Sequence, residues 1–137
     1  VKTYYIDTNC LISYVTDRNT GQQNRIAPFF EKAAVLEHKL IISEHVITEF
    51  IYVCTAVYEL EADTVRAMLL DLINTPGMEV EPCFPLTVVL HLWPAFITTY
   101  ADAVIAACVQ ERGGILLTFD RELRTKCGSL NIGVCEI

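Results

Sequence analysis

Short apolar runs alternate along the chain with segments whose apolar residues recur every three or four positions. Thr3–Ile6 is a short β-rich run, and Lys39–Ile42 and Ile115–Thr118 have the continuous apolar character of buried strands. Met78–Glu81 is a weaker strand candidate and Ile132–Ile137 another. Helical spacing predicts helices over Thr8–Thr16 and over Asn24–Glu37, the latter with Ile26, Phe29, Phe30, Ala33, Ala34 and Leu36 on its buried side. Ser43 is placed to cap a helix running to about Glu59, and Asp63 to cap one over Thr64–Asn74 that Pro76-Gly77 stops. Leu86–Trp93 reads as a helix ended or kinked at Pro94, and Asp102–Arg112 as a helix stopped by Gly113-Gly114. The polar stretch Asp17–Gln23, with its glycine, reads as a loop. Short apolar strands separated by helices predict a parallel sheet covered on both faces. The expected fold is therefore an α/β/α sandwich with right-handed crossovers. Periodicity does not order its strands.

Composition narrows the function classes. A chain of 137 residues corresponds to a single domain spanning 1–137, large enough to hold a core without disulfides. No apolar run approaches the ~18–20 residues of a membrane span. The start, VKTYYIDTN, lacks the pattern of a signal peptide. The cysteines (Cys10, Cys54, Cys83, Cys108, Cys127, Cys135) form no C-x-x-C pair and have no zinc-finger partners. Reduced thiols in a cytoplasmic protein are the expectation. A net charge of −7 argues against a generic basic grip on nucleic acid, but not against an enzyme that acts on it from one cation-loaded pocket. Mean hydropathy is +0.38, high enough to suggest apolar surface reserved for a partner. Helix Glu44–Glu59 fits this, being apolar on nearly every side, as a deeply buried or partner-covered helix would be.

In an open parallel sheet the ligand sits at the carboxyl ends of the strands. Asp7 follows the first strand, and Asp120 follows Ile115–Thr118 after one residue. Glu49 lies nearly two turns into the helix after Lys39–Ile42, among apolar neighbours that turn its carboxylate toward the interior. Asp102 opens a helix whose N-terminus belongs at the same edge. Each acid also has a local explanation: Asp7 and Asp102 as N-caps, Asp120 as the start of a turn before Arg121-Glu122, and Glu49 as the partner of an arginine. Together they would repel, two unit charges about 4 Å apart at an effective dielectric near 20 by ~4 kcal/mol, and such a cluster survives by taking up protons or by binding a cation. An all-oxygen donor set suits Mg2+ or Mn2+. Such an ion activates water and neutralises phosphate charge, so hydrolysis of a nucleic-acid backbone is the reaction that fits.

These residues also carry a family resemblance. Ile6-Asp7-Thr8-Asn9 resembles the opening motif of PIN-domain ribonucleases, and Thr48-Glu49-Phe50 their helix-borne glutamate. Ala101-Asp102-Ala103-Val104-Ile105-Ala106-Ala107 resembles their Asp-Ala-x-Ile-Ala-Ala helix start, and Leu117-Thr118-Phe119-Asp120 their Thr-x-Asp. The motifs come in the family's order over nearly the whole chain. The compact form is most similar to VapC-type toxins of toxin–antitoxin pairs. The resemblance implies a PIN-like three-layer sandwich and metal-binding roles for Asp7, Glu49, Asp102 and Asp120. It also implies supporting roles for Asn9 and Thr118, a cognate antitoxin protein and a homodimer. Two features depart from it: Leu123 stands where the family often has an aromatic, and Leu86–Tyr100 matches no family pattern. Arg18, Arg25, Lys32, Arg112, Arg121, Arg124 and Lys126 are candidates to guide RNA phosphates, or are simply solvated charges. His38, His45 and His91 have no matched partners and read as structural or surface groups. Two other readings share the first acid. A haloacid-dehalogenase-like phosphohydrolase needs a second acid two residues later, where Asn9 stands. A non-catalytic PIN-like binding module would use its acids to hold a partner's arginine.

Overall fold

A computed structural model describes residues 1–137. Five strands, β1 (Lys2–Ile6), β2 (His38–Ser43), β3 (Met78–Glu81), β4 (Ile115–Leu117) and β5 (Val134–Cys135), form one sheet in the order β3-β2-β1-β4-β5. Every neighbouring pair is parallel, with Tyr5 opposite both Ile41 and Leu116. Seven α-helices connect and cover the strands: α1 (Thr8–Val15), α2 (Thr20–Ala34), α3 (Glu44–Tyr52), α4 (Ala62–Ile73), α5 (Leu86–Leu92), α6 (Tyr100–Arg112) and α7 (Arg121–Ser129). Right-handed crossovers put the helices before β3 on one face and those after it on the other, which makes the expected three-layer α/β/α sandwich. No helix is long and apolar enough to cross a membrane.

The strand order creates the functional edge. The chain builds β1, β2 and β3 in one direction, then crosses to lay β4 on the other side of β1. Connections leaving β1 and β4 therefore diverge, and a crevice opens at their carboxyl ends. The pairing persists to that rim, where the Asp7 amide donates to the Leu117 carbonyl at 3.1 Å.

The core runs along β1, β2 and β4, with Tyr5, Ile6, Leu40, Ile42, Leu116 and Leu117 fully buried. Helix α6 is the one helix buried all round, with every residue from Ala103 to Val109 inaccessible. Its small alanines let the sheet and its helical neighbours approach closely. Gly113 ends it in the left-handed region at φ 72°. The six cysteines are all unpaired thiols.

The structure corrects several boundaries. Helix α2 begins at Thr20, inside the expected Asp17–Gln23 loop, because the Asn19 side chain accepts the Gln22 amide at 3.0 Å and caps it. Helix α4 begins at Ala62, so Asp63 lies in its first turn rather than capping it. The helix expected to reach Glu59 leaves α-geometry after Tyr52 and continues as a π-helical turn, Val53–Val57. It is not deeply buried either: Val46, Phe50 and Cys54 face the core while Ile51, Tyr52 and Val57 are exposed. Helix α7 stands where only a turn was expected, and β5 is two residues long.

Candidate functional site

Two of the four acids are fixed by backbone geometry. Asp7 leaves β1 in extended conformation and caps α1, its Oδ1 accepting the Thr8 amide at 2.8 Å. Asp120 follows β4 and caps α7, its Oδ1 accepting the Leu123 amide at 3.1 Å. The capping role expected of Asp7 therefore holds, Asp120 caps a helix where a turn was expected, and both caps stand at the crevice. Thr118 ties them together. Its fully buried hydroxyl donates to Asp7 Oδ2 at 2.7 Å and accepts the Asp120 amide at 3.1 Å.

Asp102 arrives from the opposite face of the sheet. It sits in the first turn of α6 rather than at its cap, which is Thr99, and shares a small cleft with Thr98, Thr99, Asp120, Glu122 and Lys126. Glu49 comes from α3. It is exposed, which corrects the expectation of an inward carboxylate: Val46 and Phe50 take the core side of α3 and leave Glu49 at the rim.

Electrostatics record how near these groups are. Burial first, then the charges of Asp7, Asp120 and Glu49, push Asp102 up to about 6, with Lys126 opposing. Asp7 is raised by burial and to a lesser degree by Asp120, against the lowering effect of its bonds from Thr118 and Thr8. Glu49 is raised by partial desolvation and then by Asp7, with the Thr8 side chain offsetting part of it. Even a thiol reports the cluster: Cys127, on the buried side of α7, is pushed up to about 11 by burial, then by Asp102 and Asp7. Four carboxylates thus share one field at one edge of the sheet.

They do not by themselves enclose an ion, since no three acidic, His or Cys side chains are grouped at ligating distance. The donor set is entirely oxygen. This suits a hard cation held by one or two carboxylates and otherwise by water, as Mg2+ is, better than one caged by protein. Asn9 is exposed, lines a concavity with Asp120, Arg18 and Asn19, and bonds none of the acids.

The basic residues divide. Lys126 lies in the acidic cleft and pairs with Glu122 at 3.3 Å. Arg112 stands at the far end of α6, ten residues and roughly 15 Å from Asp102, ion-paired to Glu81 at 2.9 Å. That position rules it out as a guide to the crevice. Arg18 packs over the Tyr58 ring at 3.5 Å. Arg25, Arg121 and Arg124 line a concave surface beside Phe119. Sequence reasoning missed Thr8 as the neighbour of Glu49 and the proximity of Lys126 to Asp102. The only trace of the second in the sequence is the i,i+4 spacing of Glu122 and Lys126.

The sequence model of the PIN domain matches residues 4–128. The chain belongs to the PIN domain family. All four acids of this PIN domain lie within the matched span. Solved structures agree at the level of fold. VapBC2 from Rickettsia felis, bound to a DNA fragment from their promoter, superposes with a TM-score of 0.67 at 15% identity, covering 97% of each chain. VapBC-1 from nontypeable Haemophilus influenzae gives 0.67 at 13% identity, over 98% of this PIN domain and 97% of that chain. PAE2754 from Pyrobaculum aerophilum gives 0.64 at 21% identity, over 91% and 84%. No curated protein sequence matches significantly.

Proposed function

We propose that this PIN domain is a Mg2+- or Mn2+-dependent endoribonuclease, the toxin of a type II toxin–antitoxin pair, hydrolysing RNA phosphodiester bonds with water as nucleophile. The observation that carries the reading is the gathering of acids at the topological switch point, with Thr118 bridging Asp7 and Asp120 and with Asp102 sharing a cleft with Asp120, where burial first and then the charges of Asp7, Asp120 and Glu49 raise Asp102. Like charges brought together at this cost are the mark of a site completed by positive charge. The resemblance to VapC-type chains and the likeness to two VapBC structures support the biological role.

Asp7, Glu49, Asp102 and Asp120 would hold the ion, which when bound supplies Lewis acidity toward the phosphodiester and the attacking water. The chain's own work is to prepare those ligands. Thr118 and the Thr8 amide fix Asp7, consuming one lone pair on each of its oxygens and aiming the rest. Asp102 has no hydrogen bond comparable to those on Asp7, and burial followed by the neighbouring acid charges raises its proton affinity, so a cation would relieve it. Asn9, exposed beside Asp120, is placed to meet substrate or water rather than to brace an acid.

Apolar surface supports the partner readings. Ile51, Leu70 and Ile73 are exposed along a groove between α3 and α4, and Phe84, Leu86, Leu90 and Phe96 are exposed around α5. These faces suit a homodimer contact and a cognate antitoxin. The deciding assay is cleavage of RNA by the purified chain with Mn2+ or Mg2+ and with EDTA. Cleavage should require metal, and Asp7→Asn and Asp102→Asn should each lose about 100-fold or more, several kcal/mol of transition-state stabilisation. Variants that cut as fast as the parent would refute the mechanism.

A further inference from the structure

The acidic crevice is one end of a longer depression. Gln22 and Phe119 line both the concavity that holds Asn9 and Asp120 and a wider trough beside it, between α2 and α7. The trough's charged side chains are Arg25, Arg121 and Arg124, against one acid, Glu136. The chain carries net charge −7 and ten Lys and Arg in all, so three arginines on one concave wall stand out. None of the three is ion-paired; the salt bridges are Lys39–Glu79, Arg112–Glu81 and Lys126–Glu122. Phe119, half-buried between Thr118 and Asp120, presents its ring to this trough. The Arg25 guanidinium lies over the ring, 5.2 Å from its centroid, a cation–π contact that a stacked base would have to displace. Arg25 is otherwise held by bonds of 3.3 Å to the Gly21 and Ile137 carbonyls, both at the long end of hydrogen bonding.

We propose that this trough is a track for an unpaired stretch of RNA, with Arg121 and Arg124 on backbone phosphates and the Phe119 ring carrying a base. The proposal rests on the nuclease reading above and adds where the substrate lies and in what form. Unpaired cations are needed because the rest of an acidic chain repels a polyanion. An aromatic ring one residue from Asp120 can stack only a base whose face is free, which a duplex does not offer. The base on Phe119 would thus belong to a nucleotide next to the phosphate delivered to the acids. An acidic protein segment would use the arginines and ignore the ring.

Fluorescence anisotropy in EDTA, where cleavage is silent, tests this with a labelled single-stranded RNA of about 12 nucleotides and the same strand in duplex. The wild type should bind the single strand more tightly than the duplex. Arg121→Gln with Arg124→Gln should weaken single-strand binding about tenfold. It should also flatten the log–log salt dependence by about 1.4, or ~0.7 per phosphate lost. Phe119→Ala should weaken the single strand about tenfold with the salt slope unchanged, and Phe119→Trp should restore it. Wild-type affinity and slope in the arginine variant would overturn the track. Equal loss on single strand and duplex in Phe119→Ala would do the same, as would poly-glutamate binding in place of RNA. Should Phe119→Ala fail to fold by circular dichroism, the exposed arginine pair and Phe119→Trp decide. Cleavage by the arginine variant at wild-type kcat/KM sinks the track and leaves the nuclease. Arginine-dependent RNA binding with no cleavage in Mn2+ does the reverse.

Discussion

The Thr118 hydroxyl gives its proton to Asp7 and takes the Asp120 amide proton, so one buried neutral group sets the separation of two charged ones. Its removal has consequences that its lack of charge hides. Thr118→Val keeps the shape but leaves the Asp120 amide and one oxygen of Asp7 without partners. Unpaired buried groups of this kind cost about 1–3 kcal/mol. Thr118→Ser keeps the hydroxyl and should stay near wild type. Urea unfolding should therefore place Thr118→Val well below both, and metal titration should find its affinity reduced because Asp7 has lost a bond that favours its ionised form. Equal midpoints for Val and Thr at position 118 would show that this hydroxyl organises nothing.

Helix α7 makes Asp120 serve two purposes, and substitution separates them. Asn caps a helix about as well as Asp but brings no charge, whereas Ala costs about 1 kcal/mol at a cap. Asp120→Asn should keep the melting temperature and lose cleavage; Asp120→Ala should lose both. Full activity in Asp120→Asn would remove that carboxylate from the site. The same helix shows where pattern reading stops. Only Leu123 and Cys127 of its nine residues are buried, so Arg121–Ser129 has no apolar stripe to announce it. Helix α2 starts early for the same reason: its first turn is exposed and polar yet capped by Asn19. Elements with a dense stripe were legible, as were acids just after apolar strands, because strand ends and caps are local. Orientation was not. Glu49 follows Thr48 and precedes Phe50 at about 100° per residue, so whether it faces in or out depends on which side of α3 meets the core. Strand order was equally hidden, because a parallel crossover fixes handedness but not which neighbour the strand joins.

At the scale of the whole molecule the acid cluster opposes folding until something neutralises it, and pH reads that directly. The folded value of Asp102, about 6, lies above the ~3.9 of an unfolded Asp, so the folded chain holds the proton more tightly. The stability this confers is complete below about pH 4 and is lost as pH rises through 6; Asp7 and Glu49, also raised, act in the same direction. In EDTA the wild type should therefore melt lower at pH 7.5 than at pH 5.5. Asp102→Asn removes one repelling charge, and at pH 7.5 without metal it should be the more stable protein. Because Asp102 is partly solvated, the gain is on the order of 1 kcal/mol, or roughly 4 °C. Saturating Mn2+ should invert the order. A ligand at 100 times its dissociation constant adds about 2.7 kcal/mol to a chain that binds it and little to one that has lost the site. Differential scanning calorimetry across pH, with and without metal, measures all four corners. A flat pH profile in EDTA, or equal stabilisation of both proteins by Mn2+, would mean that the carboxylates at this edge of the sheet do not act as one charged unit.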